Sequence, residues 1–218
     1  GTSRSDVSGD KTSGALAGTD YPALDFWIVK LSPTGTIIWD KTEGTEGPES
    51  IRCINLTKDG GFIVGADQGV EQYNGSYYLM KFKADGSKEW EREVTPGVNY
   101  NGYAEINDVQ QTPDNGYILG GWSNSRGGGE QSQSSIGGDY WIVKLDANRT
   151  VQWEKVIGVP LDYEGNGNGM EELVSLVQTS DGGYLLGGNS REDARGDKTE
   201  NTRGYPEYDQ DFWIVKID

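Results

Sequence analysis

At 218 residues and 33% hydrophobic content, the chain is long enough to bury one core or two. A formal net charge of −16 opposes nucleic acid or an anionic membrane surface as a partner. With no histidine, His-based acid–base catalysis, Ser-His-Asp triads and His-ligated metals are excluded; with one cysteine, so is an intrachain disulfide.

In chain order, Gly1–Leu24 reads as a polar loop with no charged-then-apolar leader, as in a mature chain or a piece of a larger one. Asp25 opens a strand, DFWIVKL, followed by a turn at Ser32–Gly35 and a strand carrying Trp39. IRCINL holds Cys53, read as a small buried side chain rather than a reactive thiol. The turn Thr57–Gly61 leads into FIVGA, and SYYLMK (76–81), KADG and Trp90 complete a phrase that then recurs. Glu105–Thr112, Tyr117–Trp122, Asp139–Leu145 and Val151–Val156 repeat the order, and DGGYLLGG (181–188) and DFWIVK (211–216) close it. Asp-Gly and Asn-Gly between apolar runs are hairpin signals, because their central residues tolerate positive φ. No segment keeps a 3.6-residue period, and no apolar run reaches the roughly 18 residues of a membrane-spanning helix.

Trp39, Trp90 and Trp153 are spaced by 51 and 63 residues, a period that means a solenoid, a propeller or an array. Four antiparallel strands per unit describe a propeller blade, so the predicted fold is an all-β propeller. The repeats run over about 25–75, 76–138 and 139–210, with a terminal strand at 211–218. Counted from Asp25 there are thirteen strands, grouped two, four, four and three: about three blades and a spare strand. SRSDVSGDKT (3–12) matches SREDARGDKT (190–199) at seven of ten positions. Two explanations stand: a portion of a longer propeller, or a ring completed between chains by the terminal strand.

The order of apolar strand, double glycine, loop, aromatic, turn and lone tryptophan is similar to the kelch repeat. DFWIVKL…G…W followed by T.DGGY.LGG resembles the propeller repeats of secreted and cell-surface proteins of Bacteroidetes. The turn-plus-tryptophan phrase is also loosely similar to quinoprotein repeats. The kelch-like resemblance implies an extracellular or surface propeller that serves as a binding module or scaffold, and only occasionally as an enzyme.

Strand parity places the short turns on one side of the predicted blades and the long connections on the other, where binding sites are usually carried. Three constellations lie on that side. Asp162, Glu164, Asn166, Asn168 and Glu171 alternate with glycines as oxygen ligands of a Ca²⁺ loop would, although Leu173 stands where a bidentate Glu belongs. A solvated loop is the other reading. The duplicated GDKT loops (Asp6, Asp10; Asp193, Asp197) fit either an internal hydrogen-bond scaffold or a ligand contact. Tyr100, Tyr103, Tyr163, Tyr205 and Tyr208, with Tyr21 and Tyr73, could stack on sugar rings or pack down on the blade edges. Trp27, Trp39, Trp90, Trp141, Trp153 and Trp213 recur at fixed positions and read as core, and Lys30, Lys81, Lys144 and Lys216 as struts along the blades.

The resulting expectation is a non-catalytic module that recognises a glycan or protein through its long-loop face, with Ca²⁺ ordering the loops. The alternative is part of a glycoside-acting hydrolase with carboxylates such as Glu105 and Glu172 at the blade starts. Partners beyond the ligand would be other copies or the rest of a larger propeller, with neither nucleic acid nor membrane insertion.

Overall fold

In the computed structural model the residues described are 1–16, 25–44, 49–68, 75–97, 102–135, 137–159, 170–203 and 209–218. None of them is helical, so among the described residues no helix could cross a membrane. Among the described residues fourteen strands form four antiparallel sheets. The first sheet joins β1 (Thr2–Ser3), β2 (Asp25–Leu31) and β3 (Ile37–Glu43). The second runs β4 (Glu49–Leu56), β5 (Phe62–Gln68), β6 (Ser76–Phe82), β7 (Lys88–Val94). The third runs β8 (Ala104–Gln111), β9 (Tyr117–Ser123), β10 (Asp139–Leu145), β11 (Val151–Ile157), and the fourth β12 (Glu172–Gln178), β13 (Tyr184–Ser190), β14 (Asp211–Ile217). The thirteen strands expected from Asp25 are present. β1 is additional: Ser3 pairs with Asp25 as Ser190, its match in the duplicated loop, pairs with Asp211.

Consecutive meander sheets pack face to face, which is the blade architecture of a β-propeller. Alternate residues of each third strand point to opposite neighbours, as a period of two demands. Phe26 and Ile28 of the first sheet meet Phe62, Val64, Tyr78 and Met80 of the second. Ile63, Tyr77 and Leu79 then meet Ile106, Val109, Leu119 and Trp141, and Ile118, Tyr140 and Ile142 meet Leu173, Leu176, Leu186 and Trp213. Each seam also carries a tryptophan set against the next sheet's first aromatic: Trp39 with Phe62 at 6.1 Å, Trp90 with Tyr117 at 5.3 Å, Trp153 with Tyr184 at 5.7 Å. The tyrosines add a hydrogen bond that fixes the spacing, Tyr77 donating to Trp141 O at 2.9 Å and Tyr140 to Trp213 O at 3.1 Å. Trp39, Trp90, Trp141, Trp153 and Trp213 are therefore seam residues, while Trp27 lies on the outer face of the first sheet and donates to Asp40 at 3.0 Å.

The double glycines have a steric cause. The first strand of each complete start bulges at one place, leaving Arg52, Asn107 and Val174 unmatched in the ladder. Opposite the bulge, a Cβ on Gly121 would lie 1.9 Å from Glu105 O, and one on Gly188 2.0 Å from Glu172 O. The innermost strands are knitted by side chains. Asp108 accepts from Asn55 at 3.1 Å on one side and from Ser175 (3.1 Å) and the Leu176 amide (3.0 Å) on the other. Cys53 packs on the core beside Gly65, and burial pushes its thiol up to about 12.

The recurrent lysines act as struts to the Asp of each hairpin turn. Lys81 reaches Asp59 at 2.8 Å, Lys144 reaches Asp114 at 2.9 Å and Lys216 reaches Asp181 at 3.1 Å. The first sheet has no such turn, and Lys30 donates to Ala84 O at 3.0 Å.

Candidate crevice on the long-connection side

All the short turns lie at one end of the sheets, and the connections β5–β6, β7–β8, β9–β10, β11–β12 and β13–β14 lie at the other. At that end, between the third and fourth sheets, a crevice of about 210 Å³ is lined by Glu105, Trp122, Gly138, Met170, Glu171 and Glu172. The repeat sets them there: Glu105 is second in β8, Glu172 begins β12, Trp122 is next to last in β9, and Gly138 precedes β10.

The equivalent crevice between the second and third sheets is filled. Tyr103, which holds the position of Met170, lays its ring over Gly75, the counterpart of Gly138; a Cβ on Gly75 would lie 2.4 Å from the ring. Arg52 reaches across from the β4 bulge, bonding Asp67 through Nε and Glu105 Oε2 at 2.8 Å through Nη2. Asp67 in turn accepts the Ile106 amide at 3.0 Å, so this ion cluster crosses the seam. Burial raises the Asp67 carboxyl, with Arg52 opposing; burial and the neighbouring Asp67 raise Glu105.

Between the third and fourth sheets the filling residues are replaced. Asn107 stands at the Arg52 position and spans only to Leu173 O at 2.7 Å. Trp122 stands at the Asp67 position, braced by Tyr103 at a ring distance of 5.6 Å. The result is an indole and a thioether beside three carboxyl groups, of which Glu105 is paired with Arg52. Glu171 is 1% exposed. Its Oε1 accepts from Ser190 at 2.9 Å, while Oε2 is buried without a hydrogen bond of good geometry among the described residues. Burial, reinforced by Asp139 and Glu192, pushes this carboxyl up to about 7.

Of the expected aromatic ligands, Tyr103 is half-buried and packs on Gly75 and Trp122; Tyr100, Tyr163, Tyr205 and Tyr208 lie outside the described residues, as do Tyr21 and Tyr73. Of the expected calcium ligands, Asp162, Glu164, Asn166 and Asn168 also lie outside them, and Glu171 is the one described. Among the described residues no three carboxylate or thiol groups converge as a metal site would require.

The duplicated loops are organised from within by lysine. Lys198 is 6% exposed and donates to Ser190 Oγ at 3.2 Å and to Glu192 O; Lys11, 4% exposed, does the same to Ser3 Oγ at 3.5 Å and Ser5 O. A third loop uses the same plan with a different residue: Gln131 accepts from Ser123 Oγ at 2.7 Å and donates to Ser125 O at 3.2 Å. Sequence reasoning missed that third copy because its identity is lost while its spacing of eight from the serine is kept. It also missed Arg52, Asp67 and Trp122. Their signal was present in the repeats aligned position by position, where these residues break an otherwise repeating register.

No protein-family model matches the chain, and no curated protein does. Among solved structures, the chain is similar to a quinohemoprotein alcohol dehydrogenase from Comamonas testosteroni, at 16% identity and a TM-score of 0.47. The similarity covers 81% of this chain but 31% of that one, so the chain spans about a third of its length.

Proposed function

We propose that the chain is a non-catalytic recognition module, a kelch-like propeller unit of a secreted or cell-surface bacterial protein that binds a glycan or a protein on its long-connection side. The observation that carries this reading is the open crevice at the third seam, where an indole and carboxylates line a space that side chains fill at the second. Aromatic faces beside hydrogen-bond acceptors suit sugar rings and peptide side chains alike. In sequence, Asp162, Glu164, Asn166 and Asn168 lie just ahead of Met170 and Glu171 of the crevice lining, so Ca²⁺ held by them would order that rim. The hydrolase alternative is disfavoured by Glu105, one of its two expected carboxylates, which is committed to Arg52.

The test is binding of the purified chain to a panel of immobilised bacterial and host glycans and surface proteins, with calcium or with chelator. Saturable binding that Trp122→Ala weakens by about tenfold or more is expected, since a buried indole anchor is typically a hot spot. Binding to no member of the panel would count against the reading. Release of sugar that Glu172→Gln abolishes would replace it with the hydrolase.

A further inference from the structure

The third-seam crevice has an internal template for what it takes. At the second seam the corresponding space is occupied by a guanidinium, that of Arg52, held between Asp67 and Glu105. At the third seam, strand register puts Glu172 where Glu105 stands, Trp122 where Asp67 stands and the short Asn107 where Arg52 stands. One acid and one flat aromatic face remain, and the cation is gone. A guanidinium stacks on an indole face as readily as it pairs with a carboxylate, and this chain already uses that contact, with the Arg149 guanidinium 5.3 Å from the Trp90 ring centre. Glu171, almost fully buried with one oxygen lacking a good partner, lines the floor of the same space.

We infer that this crevice receives the guanidinium of an arginine side chain from a protein partner, stacked on Trp122 and paired with Glu172. The inference rests on the recognition-module reading and names the chemistry of its ligand. Arginine is preferred to lysine because its planar fork matches both the ring and the carboxylate, whereas an ammonium is a strongly hydrated point charge. The −16 charge of the chain would draw a basic partner surface towards it from a distance.

The experiment follows the indole N–H of Trp122 by ¹H–¹⁵N NMR, assigned with Trp122→Phe, while N-acetyl-arginine amide is added to the full chain. A saturable shift is expected, about tenfold weaker with the uncharged citrulline amide and with Glu172→Gln, as for loss of a charge-assisted hydrogen bond. Asn107→Arg should restore the filling seen at the second seam and abolish binding from outside. No saturable shift, equal affinity for citrulline, or undiminished binding in both Glu172→Gln and Asn107→Arg would overturn the assignment. Binding on the glycan and protein panel that depends on Trp122 but survives Glu172→Gln would sink the arginine assignment alone.

Discussion

Glu171 is withdrawn from water and Arg52 about two-thirds so, and each makes a measurable demand. Because burial raises the Glu171 pKa from its ordinary 4.5 to about 7, its contribution to stability is fully present below 4.5 and is lost as pH rises through 7. Glu171→Gln keeps the shape and the acceptor for Ser190 and removes the ionisation. It should leave stability near that of the parent at pH 4.5 and raise it at pH 8 by on the order of 2 kcal/mol, read from paired thermal melts. A gain equal at both pH values would assign the effect to packing. Arg52→Ala has the opposite consequence, since it leaves the buried Asp67 and the largely buried Glu105 facing each other with no cation. With a third of the Arg52 side chain in solvent, we expect a loss of about 2 kcal/mol near neutral pH, shrinking as acid protonates the pair. The role of Arg52 could not be read from one repeat, because it depends on which neighbour its side chain reaches across a seam.

Among the elements, the bulged first strand and its opposing glycines form one unit. Gly121→Ala would push a methyl into Glu105 O, and we expect it to cost about 2–4 kcal/mol in denaturant unfolding, as forced overpacking against backbone does. The matching position of the second sheet already holds Ala66, fully buried, so Ala66→Gly should cost less than half as much. Equal effects would mean that the bulge does not set the local clearance. The strands, turns and recurrent seam tryptophans were legible in the sequence, because alternation and Asp-Gly turns are local and repeat three times. The crevice was not, since it arises from three non-repeating residues, Asn107, Trp122 and Met170, each unremarkable alone. The loops were legible in part: the GDKT duplication pointed to a shared constraint, but the working groups are the buried Lys11 and Lys198 rather than the aspartates alone.

Over the whole molecule, three seams of one design leave two outer faces of the same design that no other sheet covers among the described residues. Leu185, Phe212 and Ile214 stand in the register of Ile118, Tyr140 and Ile142, yet Phe212 is 90% and Ile214 67% exposed. On the first sheet, Trp27, Val29 and Leu31 match the Trp141, Val143 and Leu145 that receive such a face at the second seam. Burying a side chain of this size is worth about 1.5–3 kcal/mol, so light scattering should give a mass that rises with concentration. Phe212→Asp should hold it at that of one chain. A single-chain mass for the parent at every concentration would mean that the strip does not drive association. The lysine struts have a consequence of another kind. Four amines, those of Lys11, Lys81, Lys144 and Lys198, belong to residues no more than 6% exposed. An amine-reactive reagent should therefore modify the native chain incompletely and the unfolded chain fully. Mass spectrometry of labelled peptides would then report, lysine by lysine, which blade and which loop has opened first.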